Sequence, residues 1–218
     1  MGNFSRRKML LLSILSGLGG IGIKNGLAQA MSLMPTPSET EGPFYPVTAQ
    51  SDKDADLTHI MGRKSKALGR LIVVQGQVKE VSGKPVSGAT LDVWQADANG
   101  RYRHPGDANS AKLDENFQGW AVIDSDLNGF FRFVTAMPGA YPANKNWVRP
   151  PHIHFKISKA GFRALTTQMY FPDQTLNKTD LLLRSKSTIE QSAMIARHAG
   201  LQGNLSIYEY NIVLDLLD

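Results

Sequence analysis

Leu71-Ile72-Val73-Val74-Gln75-Gly76-Gln77-Val78 is dense in β-branched residues, and Ser82-Gly83-Lys84-Pro85 follows it as a turn signal. The same texture recurs outward from this stretch. Thr90-Leu91-Asp92-Val93-Trp94-Gln95 alternates, as do Phe131-Arg132-Phe133-Val134 and His152-Ile153-His154-Phe155-Lys156-Ile157. Leu165 to Phe171 and Ile207 to Leu214 read as further strands, and only Thr188 to Ala199 has helical spacing. Many short strands, Gly/Pro turns and one late helix predict an all-β fold: a β-sandwich with long irregular loops and one or two short helices. It should occupy residues 70–218, preceded by an irregular arm over 31–69 that contains Pro35, Pro37, Pro43 and Pro46. The stretch from Ala96 to Phe130 is too long for a plain hairpin loop, and loops of that length are usually functional. Asp124-Ser125-Asp126-Leu127-Asn128-Gly129 resembles the start of a calcium loop. Thr135 stands where such a loop needs a bidentate Glu, so a tight turn before a strand is the expectation.

Residues 1–30 read as a cleavable export signal. Arg6-Arg7 precede an apolar, Gly-interrupted run from Met9 to Ile23, and Leu27-Ala28-Gln29-Ala30 gives a small-x-small cleavage pattern. Paired arginines ahead of a weakly apolar core suggest the twin-arginine route, hence a periplasmic or secreted protein. The run is short for a membrane anchor, which wants roughly 20 strongly apolar residues. The segment holds four of the 24 basic residues and no acidic one, which leaves 20 basic against 19 acidic residues, a net charge of +1. Nucleic acid and, after cleavage, a membrane surface are therefore not expected partners. With no cysteine, disulfides and thiolate ligands are excluded, and any metal must sit on nitrogen and oxygen.

The densest chemical signal is Arg149-Pro150-Pro151-His152-Ile153-His154-Phe155. On a strand, residues two apart share a face, so both imidazoles can aim at one point. The pair alone also fits two polar residues on a half-exposed strand. Two tyrosines in Gly-marked loops accompany it, Tyr102 in Gly100-Arg101-Tyr102-Arg103-His104 and Tyr141 in Pro138-Gly139-Ala140-Tyr141-Pro142. A loop tyrosine is ordinarily a packing residue with a wet hydroxyl. As a ligand it must lose a proton of reference pKa ~10, which requires a hard, highly charged cation such as iron(III).

These residues resemble the intradiol ring-cleavage dioxygenases. The resemblance is carried by Val74-x-Gly76-x-Val78, Gly83, Val86, Leu91-Asp92-Val93 and Gly100-Arg101-Tyr102. It continues through Gly139-Ala140-Tyr141-Pro142, Trp147 to Phe155 and Thr167-Gln168-Met169-Tyr170-Phe171. It implies a prealbumin-like sandwich that holds one Fe(III) per chain, with Tyr102 and His152 as equatorial ligands and Tyr141 and His154 as axial ones. It also implies that a catechol-type substrate is opened by O2 between its hydroxyl-bearing carbons to a muconate-type diacid. Tyr141 would accept a substrate proton, Arg149 would stabilise negative charge on the ring, and Gln168 would hold that arginine. Pro43, in the arm segment Thr40 to Pro46, would line the substrate mouth with Arg149, and Tyr170 is a further substrate-binding candidate. Protocatechuate or a related catechol is the implied substrate, and a homo-oligomer the implied assembly, with a hetero-oligomer as the other arrangement.

The sequence departs from the family pattern at Ala143, where a tryptophan is expected soon after the Tyr-Pro pair, so the pocket should be more open. Two rival readings stand beside this one. A non-catalytic, exported prealbumin-like module would explain the fold without using the tyrosines. A zinc or copper site would use His104, His152 and His154. His59 and His198 read as ordinary, the latter near the end of the late helix, and Tyr208 and Tyr210 as core packing.

Overall fold

The computed structural model describes residues 32–50 and 52–217; the expected export signal over 1–30 lies outside the described residues. Among the described residues no helix is long and apolar enough to cross a membrane.

Two sheets form the sandwich. In the first, β1 (Leu71–Glu80) is central, antiparallel to β4 (Phe130–Ala136) and parallel to β10 (Leu205–Glu209) and then β11 (Ile212–Leu214), with β9 (Arg197–Gln202) at the edge of β10. The second sheet runs β3-β2-β7-β8, namely Trp120–Asp124, Thr90–Trp94, His152–Ser158 and Leu165–Tyr170. Ile72, Val74, Phe131 and Phe133 of the first sheet share one core with Leu91, Val93, Ile153, Phe155, Ile157 and Met169 of the second. Phe155 is the hinge of that packing, with Phe131 and Phe133 rings at 6.1 and 6.0 Å. Full burial of each such ring stabilises by about 1.5–3 kcal/mol.

Period-two alternation then decides where polar groups go. With Ile153, Phe155 and Ile157 turned into the core, His152 and His154 must face outward on β7. Strand register aligns Trp94, His154 and Gln168 in one row, and His152 beside Tyr170 in the next. This outer face would be wet if left bare. It is roofed by the arm, by the long loop from Ala96 to Gly119, and by a hairpin of β5 (Tyr141–Asn144) and β6 (Trp147–Arg149). The arm is tied down by its backbone: Glu39 N–H donates to Thr166 O at 2.8 Å, and Gln168 Nε2 donates to Thr40 O at 3.0 Å.

Several elements differ from the sequence expectation. The loop from Ala96 to Phe130 contains strand β3, and the segment after Tyr141 is the β5–β6 hairpin. The stretch from Ile207 to Leu214 is two strands, because β1 changes parallel partner at Tyr210. A Cβ on Gly76 would lie 1.8 Å from Tyr210 O, so only glycine admits that crossover. The late helix, α2, spans Thr188–Met194 and not Thr188 to Ala199. It begins with a Ser187/Glu190 capping box. It stops where Ala196 N–H bonds Tyr170 O and the chain turns into β9, whose pairing with β10 overrides helical propensity. His198 therefore sits on a strand, against the Tyr208 ring. Before α2 come a 3-10 turn (Thr175–Lys178) and a short helix α1 (Leu181–Arg184). The Asp126 turn is as expected, its Oδ1 accepting from Asn128 and Phe130 N–H at 2.8 Å.

The two tyrosine-bearing loops meet main chain to main chain. Buried Asp97 accepts at its carbonyl from Gly100 N–H (3.0 Å) and Gly139 N–H (2.9 Å). Its Oδ1 accepts from Asn99 and Arg101 N–H. A Cβ at Gly139 would lie 2.4 Å from Gly100 N and 2.6 Å from Ala98 O, with only backbone to yield. Gly139→Ala should therefore cost about 1–3 kcal/mol and lower the melting temperature by several degrees. Calorimetry of the variant checks this; an unchanged melting temperature would show that the loops are not joined as described.

Candidate metal centre

On the outer face of β7 the two imidazoles are fixed by different means. His152 Nδ1 donates to Pro150 O at 2.7 Å, which leaves Nε2 as a lone pair. His154 has no hydrogen-bond partner at Nδ1 and is held by stacking on Trp94, centroids 4.8 Å apart and 13° from parallel. Tyr102 comes from the long loop, where Asp107 Oδ2 accepts its backbone N–H at 2.7 Å. Tyr141 opens β5. The four donor atoms converge: Tyr102 Oη lies 3.0 Å from His154 Nε2 and 3.5 Å from His152 Nε2, and Tyr141 Oη lies 3.5 Å from His152 Nε2. Those separations are what neighbouring ligands bonded at ~2 Å to a common ion require.

The electrostatics favour neutral donors as long as no cation is bound. Burial pushes the Tyr102 phenol well above its ordinary range, and the neighbouring Tyr141 adds to this. Burial raises Tyr141 too, opposed by the positive charge of Arg149. Burial and Arg149 together hold His152 well below its usual value and bring His154 down to about 3. Two buried phenols and two neutral imidazoles form a hard oxygen and nitrogen set that a trivalent cation would ionise, and they fit iron(III).

Arg149 closes β6 and is 4% exposed. Its Nε donates to Asp180 Oδ2 at 2.7 Å, and its Nη2 donates to Gln168 Oε1 (2.7 Å) and Tyr170 Oη (2.9 Å). Arg149 also lines the adjoining cavity, of about 330 Å3, together with Pro43, Phe44, Tyr141 and Trp147.

Of the residues singled out in the sequence, Tyr102, Tyr141, His152 and His154 are brought together. Arg149 and Gln168 stand directly behind, and Pro43 lines the cavity. Tyr170, expected to bind substrate, is fully buried and lies one layer back, with its hydroxyl on Arg149 and Asp180. His104 stays outside the cluster, its Nδ1 accepting from Gly106 N–H. Among the described residues no three His, Cys, Asp or Glu side chains converge, which corrects the zinc or copper reading built on three histidines. Sequence reasoning missed Asp180. Its position before Leu181-Leu182-Leu183 is a helix N-cap signal, and it does cap α1, but nothing local marks it as the partner of an arginine 31 residues away. It also missed Trp94, whose alternation on β2 reads as ordinary packing.

The family profile described as Dioxygenase matches residues 40–216. The chain is 36% identical over 201 residues to the protocatechuate 3,4-dioxygenase beta chain of Burkholderia cepacia, covering 88% of this chain and 85% of that one. It is 35% identical over 117 residues to the 6-chlorohydroxyquinol 1,2-dioxygenase of Cupriavidus pinatubonensis, covering 48% of this chain and 41% of that protein. Among solved structures, it resembles the dioxygenase domain of a dioxygenase and carbohydrate-binding protein fusion from Streptomyces sp. SirexAA-E. That match has a TM-score of 0.63 and 30% identity, over 84% of this chain and all of that one. A catalytic family accounts for the buried tyrosines that a mere binding module leaves unexplained, and the chain belongs to the intradiol ring-cleavage dioxygenases.

Proposed function

We propose that this dioxygenase holds one ferric ion per chain between Tyr102, Tyr141, His152 and His154, and cleaves a catechol-type diol with O2 in the cavity beside Tyr141 and Arg149. The observation that carries the reading is the convergence of four buried donor atoms, with neighbour separations of 3.0–3.5 Å. Iron bound there supplies Lewis-acid polarisation of the diol and a template for its orientation. Tyr141 lines the cavity, and once ionised by a bound cation its phenolate would be placed to take a proton from an entering diol hydroxyl. Arg149, held by Asp180, Gln168 and Tyr170 and lining the cavity, is placed to stabilise negative charge building on the ring, a preorganised group of the oxyanion-hole kind. Phe44, packed on Tyr102 at 4.8 Å, roofs the site against water. Arg6-Arg7 and the pattern ending at Ala30 support export to the periplasm or beyond. All four donors come from one chain, so no partner chain is needed to complete the donor set.

The iron-loaded protein should show a broad mid-visible phenolate-to-iron band that moves to longer wavelength when a catechol is added anaerobically and bleaches when oxygen enters. A colourless protein at full iron occupancy would remove the phenolates from the coordination sphere. Arg149→Lys keeps a charge and loses the planar fork; it should lower kcat about 10²-fold and leave the visible band in place. A shifted band would instead make Arg149 part of the metal frame.

Removal of the metal gives a signed pH dependence. Both histidines have folded pKa values depressed below the unfolded ~6.5, so as pH falls below that value the unfolded state takes protons that the native state refuses. Stability of the metal-free protein should then fall by up to roughly 1.4 kcal/mol per pH unit for each imidazole. Urea titrations between pH 7.5 and 5.5 measure the slope, and His154→Gln should flatten it by about half.

A further inference from the structure

The cavity beside Tyr141 and Arg149 has a charge composition that bears on which diols it admits. Beyond those two residues its lining includes Pro43, Phe44, Ala143, Trp147 and Leu182, none of them charged. Arg149 is the single cation among the lining residues, and its charge is matched by Asp180 at 2.7 Å, with that carboxylate 0% exposed. Nearby lysines are matched too: Lys156 pairs with Glu41 at 2.8 Å and Lys186 with Glu39 at 3.7 Å. The arm segment beside the cavity, residues 39–44, thus brings two carboxylates and no basic residue. Lys145, at the tip of the β5–β6 hairpin, is exposed and outside the lining. A ring carboxylate entering here would surrender its water without gaining a counter-charge, whereas an uncharged ring edge gains by burial against Phe44, Trp147 and Leu182. The volume, about 330 Å3, is at the low end for small-ligand cavities, which suits a single ring with a small substituent.

We infer that this enzyme selects catechols whose other ring positions carry hydrogen or a small uncharged group, and discriminates against ring carboxylates such as protocatechuate. The inference rests on the diol site proposed above and assigns Ala143 and Leu182 as the residues that set the charge preference.

The test compares 4-methylcatechol with protocatechuate on the iron-loaded protein, by kcat/KM and by anaerobic titration of the visible band. The wild type should favour 4-methylcatechol by ~30-fold or more in both readouts, the size expected for an uncompensated buried carboxylate. Leu182→Lys and Ala143→Lys, each adding a cation at the cavity, should narrow that ratio by ~10-fold. A wild-type ratio near one, or reversed, overturns the inference and leaves the diol site standing. So does a ratio unmoved in lysine variants that keep the native band. If neither diol shifts the band of the wild type, the diol site itself falls and the selectivity with it.

Discussion

Two phenols and two imidazoles crowd one dry point of this molecule, and none of them can carry a charge there unaided. That constraint organises the rest. The histidines face away from the core because β7 alternates, so a roof of loops has to exclude water above them. The tyrosines are supplied by that roof, and their spacing depends on where two loops touch. Asp97 and the glycines at 100 and 139 join those loops through main-chain bonds, so the separation of the two tyrosine-bearing backbones is fixed by main chain. A cation that binds such a set converts four unfavourable burials into four bonds, the sense in which metal affinity and folding are linked.

Behind the donors stands the Arg149–Asp180 pair. A buried pair of this kind contributes little net stability, because desolvation offsets its Coulomb energy, although breaking it costs about 3–5 kcal/mol. Its value here is positional. Asp180 uses one oxygen to hold the guanidinium and the other to cap α1, whose next-but-one residue Leu182 forms part of the cavity wall. Gln168 completes the fork by reaching Arg149 on one side and the arm carbonyl of Thr40 on the other.

The sequence was most legible where local pattern and tertiary role coincide. β2, β4 and β7 alternate in sequence because one face of each meets the core, β1 shows as a β-branched run, and His-x-His declared its shared face through the alternation of β7. The hairpin from Tyr141 to Arg149 was not legible, since Pro142, Lys145 and Asn146 read as loop; its pairing covers the site and buries little of its own. β3 was hidden by an exposed edge position, with Val122 37% exposed between buried Ala121 and half-buried Ile123. The length of α2 was overread because Ile195 and Ala196 continue its spacing, while an edge partner elsewhere in the chain claims the residues that follow. Asp180 was invisible for a related reason: an ion pair across 31 residues leaves no trace in spacing.

The division of labour between these parts has a consequence for descent. The donor frame is written in strand register and in backbone contacts whose close approaches at Gly100 and Gly139 leave no room for a side chain. The cavity wall is written in the side chains of a hairpin, a proline-rich arm and one turn of helix, which can vary singly. Lineages that share the frame are therefore free to drift in what they digest, and a duplicated gene would reach a new diet through wall residues before its donor frame felt any change.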